Sequence, residues 1–275
     1  MSLGSHRALF AAAGFGGAAT AGYVAGNDDT VDKFAFSNDS RTTLSTGLSV
    51  NRNASAGMAN SGTAGYFGGG HSTTYLSSVD KFAFSDDSRT TLSATLSGTR
   101  QYLAGMANSG TAGYFGGGWN NTGDGFTTVD KFAFSDDSKT TLSTGLAATR
   151  YGLAGVANSG TAGYFGGGYK SGAQTTVYKF AFSNDSRTTL STGLSSARHY
   201  LAGVANSGTA GYFGGGYTYD TVDKFTLSDL SHTTIGPHHT PDMQSYAAFY
   251  KPLTPRTNAG VYVSVTVDPV TKFAF

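Results

Sequence analysis

The chain repeats itself, and the repeat limits the folds open to it more than any other feature. Gly-Tyr-Phe-Gly-Gly-Gly stands at 65–70, 113–118, 163–168 and 211–216, each time after Ala-Asn-Ser-Gly-Thr-Ala. A Lys-Phe pair follows in every unit, with its aromatic at Phe34, Phe82, Phe132, Phe180, Phe225 and Phe273, so the spacings are 48, 50, 48, 45 and 48 residues. This makes six units, of which the first (around Thr20 to Gly26) and the last (around Asn258 to Val263) depart from the pattern. Terminal units that drift from the consensus are usual in repeat proteins.

Each unit divides into four short strands separated by turn residues. In the fourth unit these are Tyr151 to Asn158, Ala162 to Gly168, Thr176 to Phe182 and Thr188 to Leu194, with Ser159-Gly160 and Ser183-Asn184-Asp185-Ser186 as turns. Val177, Lys179 and Ala181 alternate with Tyr178, Phe180 and Phe182 along the third, as opposite faces of a strand require. No apolar stripe of helical period is long enough for a helix. Four strands at this period are the arithmetic of a β-propeller blade. The small residues of strand one (Leu153-Ala154-Gly155-Val156-Ala157) suit an innermost position, and the Phe and Tyr of strands two and three supply apolar area between blades. The expectation is therefore all-β: a six-bladed propeller with four-stranded blades in one domain over 1–275. Its blades fall near 7–51, 52–99, 100–149, 150–197, 198–242 and 243–275 plus 1–6. The last unit stops after its third strand, and 1–7 aligns with 192–198, the end of a fourth strand. The N-terminal strand is thus expected to join the last blade and close the ring, removing a sheet edge.

Composition excludes several functions. Eighteen Lys plus Arg against 17 Asp plus Glu leave a net charge of +1, with no basic run to hold nucleic acid or an anionic membrane. Cys is absent, which removes disulfides, thiolate nucleophiles and zinc–thiolate sites. No apolar run reaches 18 residues, so no transmembrane helix and no membrane insertion is expected. Arg7 followed by Ala8 to Ala13 has the outline of a secretion signal, but the repeat assigns these residues to the first unit.

With a second strand ending in Gly-Gly (Gly69-Gly70, Gly117-Gly118, Gly167-Gly168, Gly215-Gly216) and an Arg before each new unit (Arg7, Arg52, Arg100, Arg150, Arg198), the chain resembles the kelch repeat. It departs from that pattern in strand four, where Leu44, Leu92, Leu142 and Leu190 lie near the place of the usual Trp. The near-identical units and their Gly-Tyr-Phe-Gly-Gly and Val-Asp-Lys-Phe phrases are similar to kelch-like repeats encoded by marine and cyanobacterial phages. That resemblance implies a virion or tail-fibre protein, an extracellular or particle location, other virion proteins as partners, and oligomerisation through the parent assembly. The turns at Ser37 to Leu44, Ser85/Asp87, Ser135/Asp137 and Ser183/Asp185 resemble a degraded Asp-box of sialidase-type propellers, with Leu230 at the Asp position of the fifth. We read it as structural, the Asp accepting turn amides.

No catalytic residue, cofactor or metal ligand is assigned. The recurring arginines, one per unit, read as packing elements rather than an arginine cluster. His232, His238, His239 and Asp242 are the one His/Asp cluster; whether His238, His239 and Asp242 bind a metal stays open, a solvated loop being the plainer reading.

The joins between strands two and three differ in every unit, as do the joins into strand one. Variable loops on a uniform framework are the layout of a binding scaffold. The first set places His71, Trp119, Asn120, Asn121, Asp124, Phe126, Tyr169, Tyr217 and Tyr219 as candidate ligand-binding residues, and the second adds Tyr102, Tyr151 and Tyr200 beside Asn53, Gln101 and His199. Aromatic faces among amides and hydroxyls suit sugars, and suit protein epitopes too. The expectation is a non-enzymatic module recognising a host-surface glycan or receptor. The alternatives are a structural or protein-interaction module of a larger assembly and, further off, a glycan-active enzyme.

Overall fold

The computed structural model describes residues 8–11, 21–25, 28–60, 62–123, 125–206, 208–217, 219, 221–236, 246–249, 259–264 and 271–274. The first blade contains β1 (Ala8–Ala11), β2 (Ala21–Ala25), β3 (Val31–Ala35) and β4 (Arg41–Thr43). The second contains β5 (Ala56–Asn60), β6 (Ala64–Gly68), β7 (Val79–Ala83) and β8 (Arg89–Thr91). The third contains β9 (Ala104–Asn108), β10 (Ala112–Gly116), β11 (Val129–Ala133) and β12 (Lys139–Thr141). The fourth contains β13 (Tyr151–Asn158), β14 (Ala162–Tyr169), β15 (Val177–Ala181) and β16 (Arg187–Thr189). The fifth contains β17 (Ala202–Asn206), β18 (Ala210–Gly214), β19 (Val222–Thr226) and β20 (His232–Ile235). Each is an antiparallel meander in chain order.

The propeller and its four-stranded blades are as the sequence implies, but the count is corrected. Five blades carry four strands, not six. The C-terminal segment contributes a three-stranded sheet of β21 (Tyr246–Phe249), β22 (Ala259–Ser264) and β23 (Thr271–Ala274), whose β21 lies against both β17 and β1. Residues 1–7, expected to add its fourth strand, lie outside the described residues. Strand four is also shorter than the sequence suggests: three residues in the fourth blade, because only Arg187–Thr189 pair with β15.

Strand one is innermost, and its small residues have a steric cause. A Cβ on Gly105 would collide with the Gly57 carbonyl, one on Gly155 with that of Gly105, and one on Gly203 with that of Gly155. The inner strands meet backbone to backbone. Farther out, glycines receive the next blade's rings: Phe115 on Gly68, Phe165 on Gly116 and Phe213 on Gly166.

Polar groups pin the blades inside and between. Arg52, Arg100 and Arg198 are fully buried and pair with Asp80, Asp130 and Asp223 on strand three of the same blade. The packing role expected for the arginines is what they perform. In the fourth blade Tyr178 replaces the Asp, and the Arg150 guanidinium lies 5.8 Å from its ring centre and 3.2 Å from its hydroxyl.

Between blades, Lys33, Lys81 and Lys131 reach Asp87, Asp137 and Asp185 of the next blade at 2.8, 2.7 and 2.7 Å. The hydroxyls of Tyr23, Tyr66 and Tyr114 donate to the same carboxylates, and their acidity is pushed well below normal by burial and this bond. The turn reading is therefore corrected. The turn amide of Ser88, Ser138 or Ser186 donates to the side chain two residues earlier, Asp86, Asp136 or Asn184, while the Asp between them faces outward to the neighbouring blade.

At the junction of the fourth and fifth blades Leu230 takes the second Asp's place at φ 60°, and Tyr164 and Lys179 have no such carboxylate. Leu is poorly suited to the left-handed region, where Asp is better tolerated. Leu230→Asp is expected to stabilise by about 1 kcal/mol, through backbone relief and a part-exposed Lys179 pair. Calorimetry should show Tm higher by roughly 3 °C; an unchanged or lower Tm would mean that the packing of Leu230 is worth more.

Candidate functional site

The site begins where strand two ends. The second and third glycines of each triple have positive φ (67° and 108° at Gly117 and Gly118), so the chain turns after the strand and the next residue lies beside the entry to strand one. His71 is bridged to Asn53 and Trp119 to Gln101; Tyr151 pairs with Tyr169 inside the longer β13–β14 ladder; and the Tyr217 amide donates to the His199 carbonyl at 3.0 Å. The two variable stretches of each repeat are thus presented as one cross-strand pair per blade.

One residue nearer the axis, Ala54, Tyr102, Gly152 and Tyr200 all have left-handed φ, 52° to 61°. Their backbones are bonded blade to blade: Tyr102 N to Ala54 O at 2.8 Å, Gly152 N to Tyr102 O at 2.8 Å and Tyr200 N to Gly152 O at 2.6 Å. Gly152 gives room to a neighbour, since a Cβ there would sit 2.8 Å from the Tyr200 ring. Non-glycine residues held at positive φ store strain, and two tyrosines doing so at one spot mark it out.

These positions assemble into a continuous aromatic surface over the second to fifth blades. Ring centres run His71–Tyr75 4.8 Å, Tyr75–Trp119 6.0 Å, Trp119–Tyr151 5.9 Å and Tyr151–Tyr169 5.3 Å, then Tyr169–His199 5.1 Å and His199–Tyr217 5.7 Å. On its axial side Tyr102 and Tyr200 lie 5.0 Å apart, and 6.2 and 6.4 Å from Tyr151. Most of these rings are half-buried, and Tyr217 is 46% exposed. The Trp119 Nε1 donates to Gly123 O of its own loop at 3.0 Å, which fixes the indole in place.

Burial raises the pKa of the Tyr102 and Tyr200 hydroxyls, and burial lowers that of the His199 imidazole, so His199 is neutral at pH 7. The arginines directly before the face residues turn inward to their Asp or Tyr partners. Among the described residues of the four loops, Lys170 is the only charged side chain.

Of the expected residues, His71, Trp119, Tyr169, Tyr217, Tyr102, Tyr151 and Tyr200 come together. Phe126 does not: its ring packs 5.5 Å from the Arg100 guanidinium, against Gly98. Asn120 closes its own turn by accepting from Thr122, and Asn121 sits exposed at the loop tip with φ 66°. Tyr219 makes no ring contact with the arc among the described residues, its amide going to Gly216 O. Asp124 lies outside the described residues. Tyr75 was not expected, although it is the one aromatic inside the loop from His71 to Ser78 and it joins the second blade to the third.

The His/Asp cluster dissolves in part. His232 opens β20 and its Nε2 lies 2.8 Å from the buried Asp223 carboxylate, against the Phe225 ring. His238, His239 and Asp242 lie outside the described residues. Among the described residues no group of three His or Asp could hold a metal. The chain has no Glu, and nine aspartates are engaged: three with buried Arg or His, three with Lys and Tyr across blades, three in turns.

No protein-family model matches the chain, and no curated protein does. Among solved structures it is similar to that of YjhT, with a TM-score of 0.73 and 12% identity over 99% of this chain and 98% of the other. At that identity the likeness speaks for architecture alone: the chain has a β-propeller fold.

Proposed function

We propose that the protein is a non-enzymatic binding propeller that recognises a glycan through the aromatic arc. One observation carries this reading: positions that differ between otherwise near-identical repeats converge on one face as touching rings. Aromatic rings present flat apolar faces to the apolar faces of sugars, while nearby hydroxyls, amides and imidazoles take the sugar hydroxyls. The absence of Glu and the engagement of nine aspartates support a binder over a hydrolase, which ordinarily needs a carboxylate pair at the scissile bond. The phage-like repeat phrasing supports a place in a virion, where such a face would meet the host surface.

The test is binding to arrayed cell-surface glycans and polysaccharides by wild type and Trp119→Ala. Saturable binding is expected, weakened about thirtyfold in the variant, the loss typical of a central aromatic anchor. Equal binding by the two would remove the arc from the site. Capture of a protein partner with no saccharide binding would instead establish a protein-interaction module.

A further inference from the structure

We infer that the ligand of this face is an uncharged oligosaccharide several sugars long, laid across blades, rather than a single sugar or an anionic glycan. This rests on the glycan reading above and narrows it.

Length comes from the arrangement of the rings. The arc crosses from the second blade to the fifth with no break, each ring 4.8 to 6.0 Å from the next. That interval is comparable to the span of one sugar ring, and the links Tyr75–Trp119, Trp119–Tyr151 and Tyr169–His199 bridge successive blades. A monosaccharide would cover one or two rings and leave the remainder in water. A chain engages successive rings, each later contact being intramolecular.

Charge comes from what the arginines do. A carboxylated or sulfated sugar is ordinarily met by guanidinium or ammonium groups. Arg52, Arg100 and Arg198 immediately precede face residues, yet each is wholly buried and bound to an aspartate. Arg150 is 4% exposed and faces Tyr178. His199, next to the Tyr217 end of the arc, is desolvated among Tyr169, Tyr200 and Tyr217 and carries no charge at pH 7. Lys170, beside Tyr169, is the one cation among the described residues of the four loops, and a single ammonium is not the set of cations an anionic chain would need.

The chain's single Trp lies in the arc, so its emission reports on this face alone. Full-length protein would be titrated with malto-, cello-, manno- and galacto-oligosaccharides of one to eight units, and with oligogalacturonate and oligosialic acid, following Trp emission and heat. The expected result is a response to at least one neutral series, with affinity rising about tenfold or more from one unit to four and then levelling. In Tyr75→Ala, next to one end of the arc, and Tyr217→Ala, at the other, the gain in affinity with length should shrink. A melting curve for each variant shows that it is folded. Tightest binding by an acidic series, or monosaccharide affinity equal to that of the octamer, would overturn the inference and leave glycan binding standing. No response to any saccharide by either readout would overturn both.

Discussion

Gly155→Ala should lower Tm by roughly 10 °C, the effect of about 3 kcal/mol in a protein of this size. A methyl at this position meets not a side chain but the carbonyl of Gly105 in the neighbouring inner strand. Backbone cannot rotate away. Relief requires β9 and β13 to part, which loosens the Tyr114–Asp185 and Lys131–Asp185 contacts of the same junction. Gly236→Ala is the control, because a Cβ there meets nothing within 4 Å and its backbone needs no glycine. The two substitutions have the same chemistry and should differ several-fold in cost. Equal melting temperatures would mean that the inner strands are not packed this closely.

Asp130→Ala is expected to cost about 3–5 kcal/mol, the range for breaking a buried ion pair from one side. Arg100 and Asp130 have no side-chain exposure and lie 2.7 Å apart. The carboxylate also accepts from the Ser97 amide and hydroxyl at 2.8 and 3.0 Å and from the Thr141 hydroxyl at 2.6 Å. Its removal leaves a buried guanidinium with no carboxylate, held by the Thr128 hydroxyl, a long contact to the Phe115 carbonyl and the Phe126 ring. The fourth blade shows another solution. There Tyr178 faces Arg150, and the residue matching Ser97 is Ala147, which has no hydroxyl to offer a carboxylate. Transplanting the pair as Ser97→Ala with Asp130→Tyr should recover at least about half of the loss, and the double variant should be more stable than the summed single effects allow. Denaturant unfolding of the four proteins measures that coupling. Strict additivity would show that the two fourth-blade residues do not act as a unit.

Much of the framework was legible because its cause is periodic. Alternation along Val177 to Phe182 and the turn at Ser159-Gly160 located strands to within about one residue of Tyr151–Asn158 and Val177–Ala181. Strand four was read too long because beyond Thr189 only the Leu190 and Leu194 amides still bond back, to Val177 O and Thr175 O, and the ladder with β15 is not continued. The aspartate turns show a different limit. Two acidic or amide residues in succession can each cap a turn, and only the neighbouring blade, bringing Lys81 and Tyr66 toward Asp137, decides which one does. The aromatic site was legible as a set of variable loop positions. Phe126 was a candidate in the same loop as Trp119, but its ring packs onto the Arg100 guanidinium.

By itself the sequence determined the repeat, the all-β class, the placing of small residues on the innermost strand and the candidate face, since these follow from side-chain size and a fixed period. Tertiary structure alone decided that five blades have four strands, that the arginines face inward to Asp or Tyr, and that rings about fifty residues apart touch in one arc. Those are contacts between units, set by how blades rotate about a common axis, and no spacing within one unit encodes them.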